Sequence, residues 1–298
     1  MKISVLTPSY NSAKYLERAI QSVLVQSYTH WEHIVVDGGS SDGTKEILAK
    51  YPDLIWISES DKGQSDAMNK AFKQSSGDII VYLNADDKFA AGTFQTVIDF
   101  LTAHPECDMV VGDLEVVNCS QGGCAHIAEP FIELEKIYQF YNYYFPLNPV
   151  SYFYKRKVQE KIGEFPLENH YSMDYYFLLR AFLTFKIMKV NKIFGTYYHD
   201  GQNKSSNFPR ASQTLKQTII QFVLEQNSEA ISRVFEIYLD DYLCLRDEHG
   251  KLLQEYNDLK DKQIKLWQQY SLAITSKIRR VRNFLSQMYK KINLKSSR

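Results

Sequence analysis

The stretch HIVVDGGSSDGT, residues 33–44, decides the fold. An apolar, β-branched run ends in an aspartate and then in a cluster of Gly, Ser and Asp, which is how a buried strand closes before a turn and a helix. The same rhythm extends on both sides. Residues 2–6 read as a strand that runs into TPSYN at 7–11, and residues 15–25 place Leu16, Ala19, Ile20, Val23 and Leu24 on one helical face. Further on come a helix at 44–50, a strand at 54–57, a helix at 65–73, a strand at 79–83, a helix at 92–101 and a strand at 109–112. Strands alternating with amphipathic helices predict βαβ units, and so an α/β domain with a Rossmann-like, mostly parallel sheet flanked by helices.

The chain has 298 residues, is 44% hydrophobic and 14% aromatic, and balances 35 Lys plus Arg against 35 Asp plus Glu. That composition excludes wholesale disorder and argues against nucleic acid as a partner. The start, MKISVLTP, is interrupted by Thr7 and Pro8 too early for a signal peptide, and no apolar run approaches the roughly 20 residues of a membrane span, so the expected location is cytoplasmic. Cys107, Cys119, Cys124 and Cys244 lack the C-x-x-C spacing of a zinc site and the density of a disulfide scaffold.

In open parallel sheets the ligand sits beyond the carboxyl ends of the strands, and the polar residues cluster there. The four relevant ends are TPSYN, DGGSSDG at 37–43, ESDKGQSD at 59–66 and NADD at 84–87. Residues 38–43 carry the glycine spacing of a phosphate-binding loop but continue as Thr44-Lys45, and Asp42 inside the loop repels phosphate, so that motif is rejected. The glycines also fail the dinucleotide pattern. Asp37 is suited to accept a hydrogen bond from a base or ribose. Asp86 and Asp87 are hard oxygen donors suited to Mg²⁺ or Mn²⁺, and an acidic helix-capping turn is the competing explanation.

TPSYN, VVDGGSSDGT at 35–44, DKGQSDAMNK at 61–70 and LNADD at 83–87, in this order and spacing, resemble the inverting family 2 glycosyltransferases of the GT-A fold over about residues 1–205. The resemblance implies that Thr7, Pro8, Tyr10 and Asp37 surround the nucleotide base and ribose, with Lys62 and Asp66 beside the base or the donor sugar. Asp86 and Asp87 match the family's DxD-type motif, Asp87 as direct metal ligand and Asp86 reaching ribose or metal. Asn84 stands where an acidic residue is common. SMDYYFLLR at 172–180 looks like the block that supplies the catalytic base, here Asp174, with Met173 in place of the usual Glu. YHDGQNKS at 198–205 is similar to the segment that places a histidine, His199, near diphosphate and metal. The implied chemistry is transfer of a sugar from a nucleotide-diphosphate sugar, UDP by resemblance, to a glycan or lipid-linked acceptor. A nucleotidyltransferase and a donor-binding scaffold without turnover are the alternatives.

The expected organisation is a catalytic domain at 1–208, with a donor half at about 1–117 and an acceptor half at about 118–208, followed by a helical extension at 209–298. Helices are expected at 133–141, 155–162 and 174–183, then at 213–225, 229–245 and from 251 onward. The aromatic run at 138–154 reads as core rather than as an acceptor platform. In the last stretch Ile274, Ile278, Val281, Leu285, Met288 and Ile292 fall mostly on one helical face among many Lys and Arg. Such a helix suits an anionic membrane surface through residues 271–298, or packing on the domain or a homodimer through the tail with Leu252, Tyr256, Leu259 and Leu266. Liposome co-sedimentation separates them: the membrane reading expects binding to anionic vesicles that disappears when residues 271–298 are removed, and equal binding defeats it.

Overall fold

The structure is a computed structural model and describes residues 1–119, 122–139, 145–201 and 208–225. The chain divides into two compact units, Met1–Ile237 and Tyr238–Arg298. The helices expected at 229–245 and from 251 onward, with the basic stretch 271–298, lie outside the described residues.

The first half follows the expected rhythm: β1 (Ile3–Ser9), α1 (Leu16–Leu24), β2 (Trp31–Asp37), α2 (Thr44–Leu48), β3 (Ile55–Ser58), α3 (Gln64–Gln74) and β4 (Ile79–Tyr82). It continues through β5 (Lys88–Phe89), α4 (Thr93–Ala103), β6 (Met109–Asn118), β7 (Cys124–Ala128), α5 (Leu134–Tyr138), a 3₁₀ turn at Pro149–Ser151 and β8 (Tyr152–Lys155). Then come α6 (Arg156–Ile162), α7 (Met173–Thr184), β9 (Ile187–His199) and α8 (Phe208–Glu225). α1 buries Leu16, Ala19, Ile20 and Val23, the face its spacing predicts.

One sheet runs β3-β2-β1-β4-β8-β6-β9-β5, with β7 paired to β6. β1, β2, β3 and β4 are mutually parallel, as the βαβ rhythm requires. Beyond β4 the sheet is mixed: β8 runs antiparallel to both β4 and β6, β7 is antiparallel to β6, and β9 is parallel to β6 but antiparallel to β5. The parallel expectation therefore describes β1 to β4. The later part of the sheet turns the chain back through β8, whose Tyr152, Phe153 and Tyr154 are all buried, so this part of the aromatic run is core. α8 packs on α7, with the Thr218 hydroxyl 2.7 Å from the Ser172 hydroxyl at the start of α7.

Phe89, Phe94, Phe153 and Phe194 interlock in the main core, with ring centres 5.0 to 5.9 Å apart. Each buried ring contributes roughly 1.5–3 kcal/mol. Gly112 lies where the β6–β9 register shifts, and a Cβ there would stand 2.3 Å from the Phe194 ring. Gly112→Ala is expected to destabilise the protein by about 1–3 kcal/mol through overpacking, read as a fall in melting temperature; an unchanged melt contradicts this packing.

Candidate active site

The ends of β1 and β2 are stitched together by hydrogen bonds. Asn11, the one non-glycine with positive φ among the described residues (48°), donates its amide to the Ser40 hydroxyl at 2.7 Å and accepts from the Ser41 amide at 3.1 Å. Asp42 accepts from the Ala13 amide at 3.0 Å and the Thr44 amide at 3.1 Å. Asp37 has no solvent exposure: its carboxylate accepts from the Ser40 amide at 2.9 Å, the Gly39 amide at 3.2 Å, the Ser58 hydroxyl at 2.6 Å and the Ser40 hydroxyl. Thr7 is equally buried, with its hydroxyl 2.9 Å from the ring of His33, a histidine that burial pushes down to about 3 and so holds neutral. At the end of β3, Asp61 lies against Gly38, whose missing Cβ would stand 2.7 Å from the Asp61 carboxylate.

β4 ends in the acidic turn. Asp87 is completely buried, yet three groups hold it. The Asn84 side-chain amide donates at 3.1 Å and the Asn148 amide at 2.7 Å to one oxygen, and the Tyr198 backbone amide donates at 3.2 Å to the other. Burial first, then the negative charge of Asp86, raises the Asp87 pKa well above the usual carboxylate range. Asn84 also accepts from the Gln64 side chain at 3.1 Å. An amide at position 84 can donate to Asp87 and accept from Gln64 at once, which an aspartate cannot do. The same hydrogen bond from Tyr198 brings the end of β9, and with it His199, to the acidic turn.

Asp174 sits in the first turn of α7 and accepts from the Tyr175 amide at 2.8 Å. It keeps a partial opening to solvent while burial raises its pKa to about 6. The phenol of Tyr152 lies close enough to be raised in turn, by its burial and then by the Asp174 charge. The loop leading to α7 reaches the donor half: the His170 ring lies against Gly63, 3.5 Å from where a Cβ would stand.

The expected residues thus separate into two groups. Tyr10, 65% exposed, Lys62 and the half-buried Asp66, Asp86, Asp174 and His199 reach solvent. Thr7, Pro8, Asp37 and Asp87 are buried, and the polar groups of Thr7, Asp37 and Asp87 are committed to protein partners. Asp66 accepts from the Lys62 amide at 3.1 Å and pairs with Lys70 at 3.4 Å, so it also shapes its loop. Gln64, Asn148, Tyr152 and Arg18 escaped the sequence reading; only Asn148, between Pro146 and Pro149 as the cap of a 3₁₀ turn, carried a local signal.

Among the described residues no three His, Cys, Asp or Glu converge as a closed metal cage. Mg²⁺ and Mn²⁺ sites that work on phosphates need only one or two carboxylates, with substrate completing the shell, and the half-exposed Asp86 at a strand end fits that requirement. Asp87, with two amides on one oxygen and one on the other, retains an acceptor site, but it has no solvent exposure and would have to be uncovered to ligate directly.

The chain matches the family described as Glycosyl transferase family 2 over residues 4–163. It is 38% identical over 104 residues to the putative teichuronic acid biosynthesis glycosyltransferase TuaG of Bacillus subtilis (strain 168), a match covering 33% of this chain and 41% of that one. It is 32% identical over 119 residues to the Escherichia coli UDP-Glc:alpha-D-GlcNAc-diphosphoundecaprenol beta-1,3-glucosyltransferase WfgD, covering 39% and 47%. The match thus spans less than half the length of either relative. In fold it is similar to S. aureus TarS 1–349 in complex with UDP, with a TM-score of 0.62, 21% identity and coverage of 85% and 75%. It is also similar to the Pyrobaculum calidifontis mannosyltransferase PcManGT in complex with GDP-Man and Mn²⁺, with a TM-score of 0.58, 18% identity and coverage of 88% and 84%. With these neighbours and the family match over more than half its length, the chain belongs to glycosyltransferase family 2 and has the GT-A fold.

Proposed function

We propose that the protein transfers a sugar from a nucleotide-diphosphate sugar, a UDP-sugar, to a hydroxyl of a glycan or lipid-linked acceptor, with inversion, in the assembly of a surface polysaccharide or glycoconjugate. The observation that carries this reading is Asp174: a carboxylate raised to about 6, held by the Tyr175 amide and still open to solvent, at the start of the acceptor-half helix. Such a group is ionised at neutral pH yet basic enough to take a proton. The names of TuaG and WfgD support the biosynthetic setting, and the UDP in the TarS complex supports the nucleotide.

In the proposed reaction Asp174 accepts the proton of the acceptor hydroxyl as that oxygen attacks the anomeric carbon. A single in-line displacement inverts that centre. Asp86, with Asp87 behind it and His199 beside the turn, would hold Mg²⁺ or Mn²⁺. When bound, the ion supplies Lewis-acid neutralisation of the departing diphosphate. Tyr10, Lys62 and Asp66 flank the donor, while Thr7, Pro8 and Asp37 shape the loops that receive it. The expected setting is the cytoplasmic face of a membrane, with residues 271–298 as the contact; no helix among the described residues is long and apolar enough to cross one.

Asp174→Asn is expected to abolish turnover while binding of a nucleotide sugar survives, and retained turnover contradicts the assignment. In the wild type, kcat/KM is expected to rise about tenfold per pH unit and to level off near pH 6 as the base ionises; a profile flat from pH 4 to 8 contradicts it. The same shift has a stability consequence. The folded pKa of about 6 exceeds the unfolded value near 3.8, so the native state binds the extra proton between these limits and loses stability as pH rises through them. Asp174→Asn is therefore expected to match the wild type at pH 4 and to exceed it at pH 8 by on the order of 1–3 kcal/mol, read from thermal melts at both pH values.

A further inference from the structure

Arg18, on α1, stands under the acidic turn without being part of it. Its Nη2 donates to the backbone carbonyl of Asp86, and its guanidinium carbon lies 3.7 Å from the ring centre of Tyr198. At the N-cap of the same helix, the Tyr15 hydroxyl donates to the Asp200 carboxylate. Tyr198 in turn gives its backbone amide to Asp87. The connections close a circuit: Arg18 to Asp86, along the chain to Asp87, across to Tyr198 and back through the ring face to Arg18. The first helix thereby grips both segments that carry the candidate metal ligands, the end of β4 and the end of β9.

The Nε of Arg18 is buried and has no hydrogen-bond partner among the described residues. Buried donors are normally satisfied, so the guanidinium is held at this spot at the expense of its own hydrogen bonding. A planar guanidinium can donate in its plane to a carbonyl while its face lies on an aromatic ring, and a lysine ammonium cannot do both.

We propose that Arg18 is a positioning residue that holds the Asp86 backbone against the end of β9, and so orients the Asp86 carboxylate toward a metal–nucleotide site, through the shape of its side chain rather than its charge alone. The inference rests on the reading of the acidic turn as the donor-metal site. It is tested by titrating Mn²⁺ in the presence of UDP, followed by electron paramagnetic resonance, on the full chain as wild type, Arg18→Lys and Tyr198→Leu, with a thermal melt of each. Arg18→Lys is expected to keep its fold and its charge and to lose about tenfold or more in Mn²⁺ affinity, the scale of outer-shell ligand losses. Tyr198→Leu removes the ring but keeps the backbone amide on Asp87, so it is expected to weaken binding in the same direction, and it carries the test if Arg18→Lys does not fold. Wild-type affinity in the folded variants, with or without a lowered melting temperature, overturns the positioning role and leaves the donor-site reading standing. Failure of the wild type itself to bind Mn²⁺ with UDP overturns that reading and this inference with it.

Discussion

A carboxylate with no access to water, Asp87, sits where three separate segments of chain meet, and it stays there because each brings a donor. Asn84 comes from its own turn, Asn148 from the approach to β8, and Tyr198 from the last residues of β9. A carboxyl group left without partners in that place would cost about 1–3 kcal/mol when neutral and more when charged. The need to satisfy Asp87 therefore ties the mixed part of the sheet to its parallel part. Asn148 meets the requirement twice over, donating to Asp87 and accepting from the Val150 amide to start the 3₁₀ turn before β8.

Three carboxylic acids share one chemistry and meet three environments. Asp87 is buried with three donors, Asp86 keeps partial exposure one residue earlier, and Asp174 is crowded but partly open, accepting from the Tyr175 amide. The proposed roles, ion binding at Asp86 and proton acceptance at Asp174, rest on acids whose environments differ in this way. Asp37 adds a fourth environment: fully engaged by Ser40, Gly39 and Ser58, it organises a loop.

The donor half was legible because its signals are local. The strand periodicity, the Gly-Ser-Asp turns and the amphipathic face of α1 each lie within a dozen residues, and the structure reproduces them at β1 to β4. β7, with four exposed residues of five, and β9, whose first half mixes apolar and polar residues and is only partly covered, carry no clear apolar alternation, and β8 is too short and too continuously aromatic to distinguish strand from helix. The site residues divide similarly. Asp174 and the Asp86-Asp87 pair stand in recognisable blocks. The inward commitment of Thr7 depends on His33, 26 positions away, and that of Asp87 on Asn148 and Tyr198, 61 and 111 positions away, and no local pattern encodes such pairings. Asn84 looked like a departure from an acidic motif; its two partners explain it as the residue that lets a buried carboxylate sit beside it.

The central claim, that this edge of the sheet receives a nucleotide sugar with a divalent ion, is tested most directly by thermal shift with UDP-, GDP- and dTDP-sugars, each in Mn²⁺ and in EDTA. A ligand that binds only the native state raises its stability by RT ln(1 + [L]/Kd). The account predicts a rise in melting temperature with UDP-sugars in Mn²⁺ that is lost in EDTA. No shift with any nucleotide sugar in either condition would contradict it.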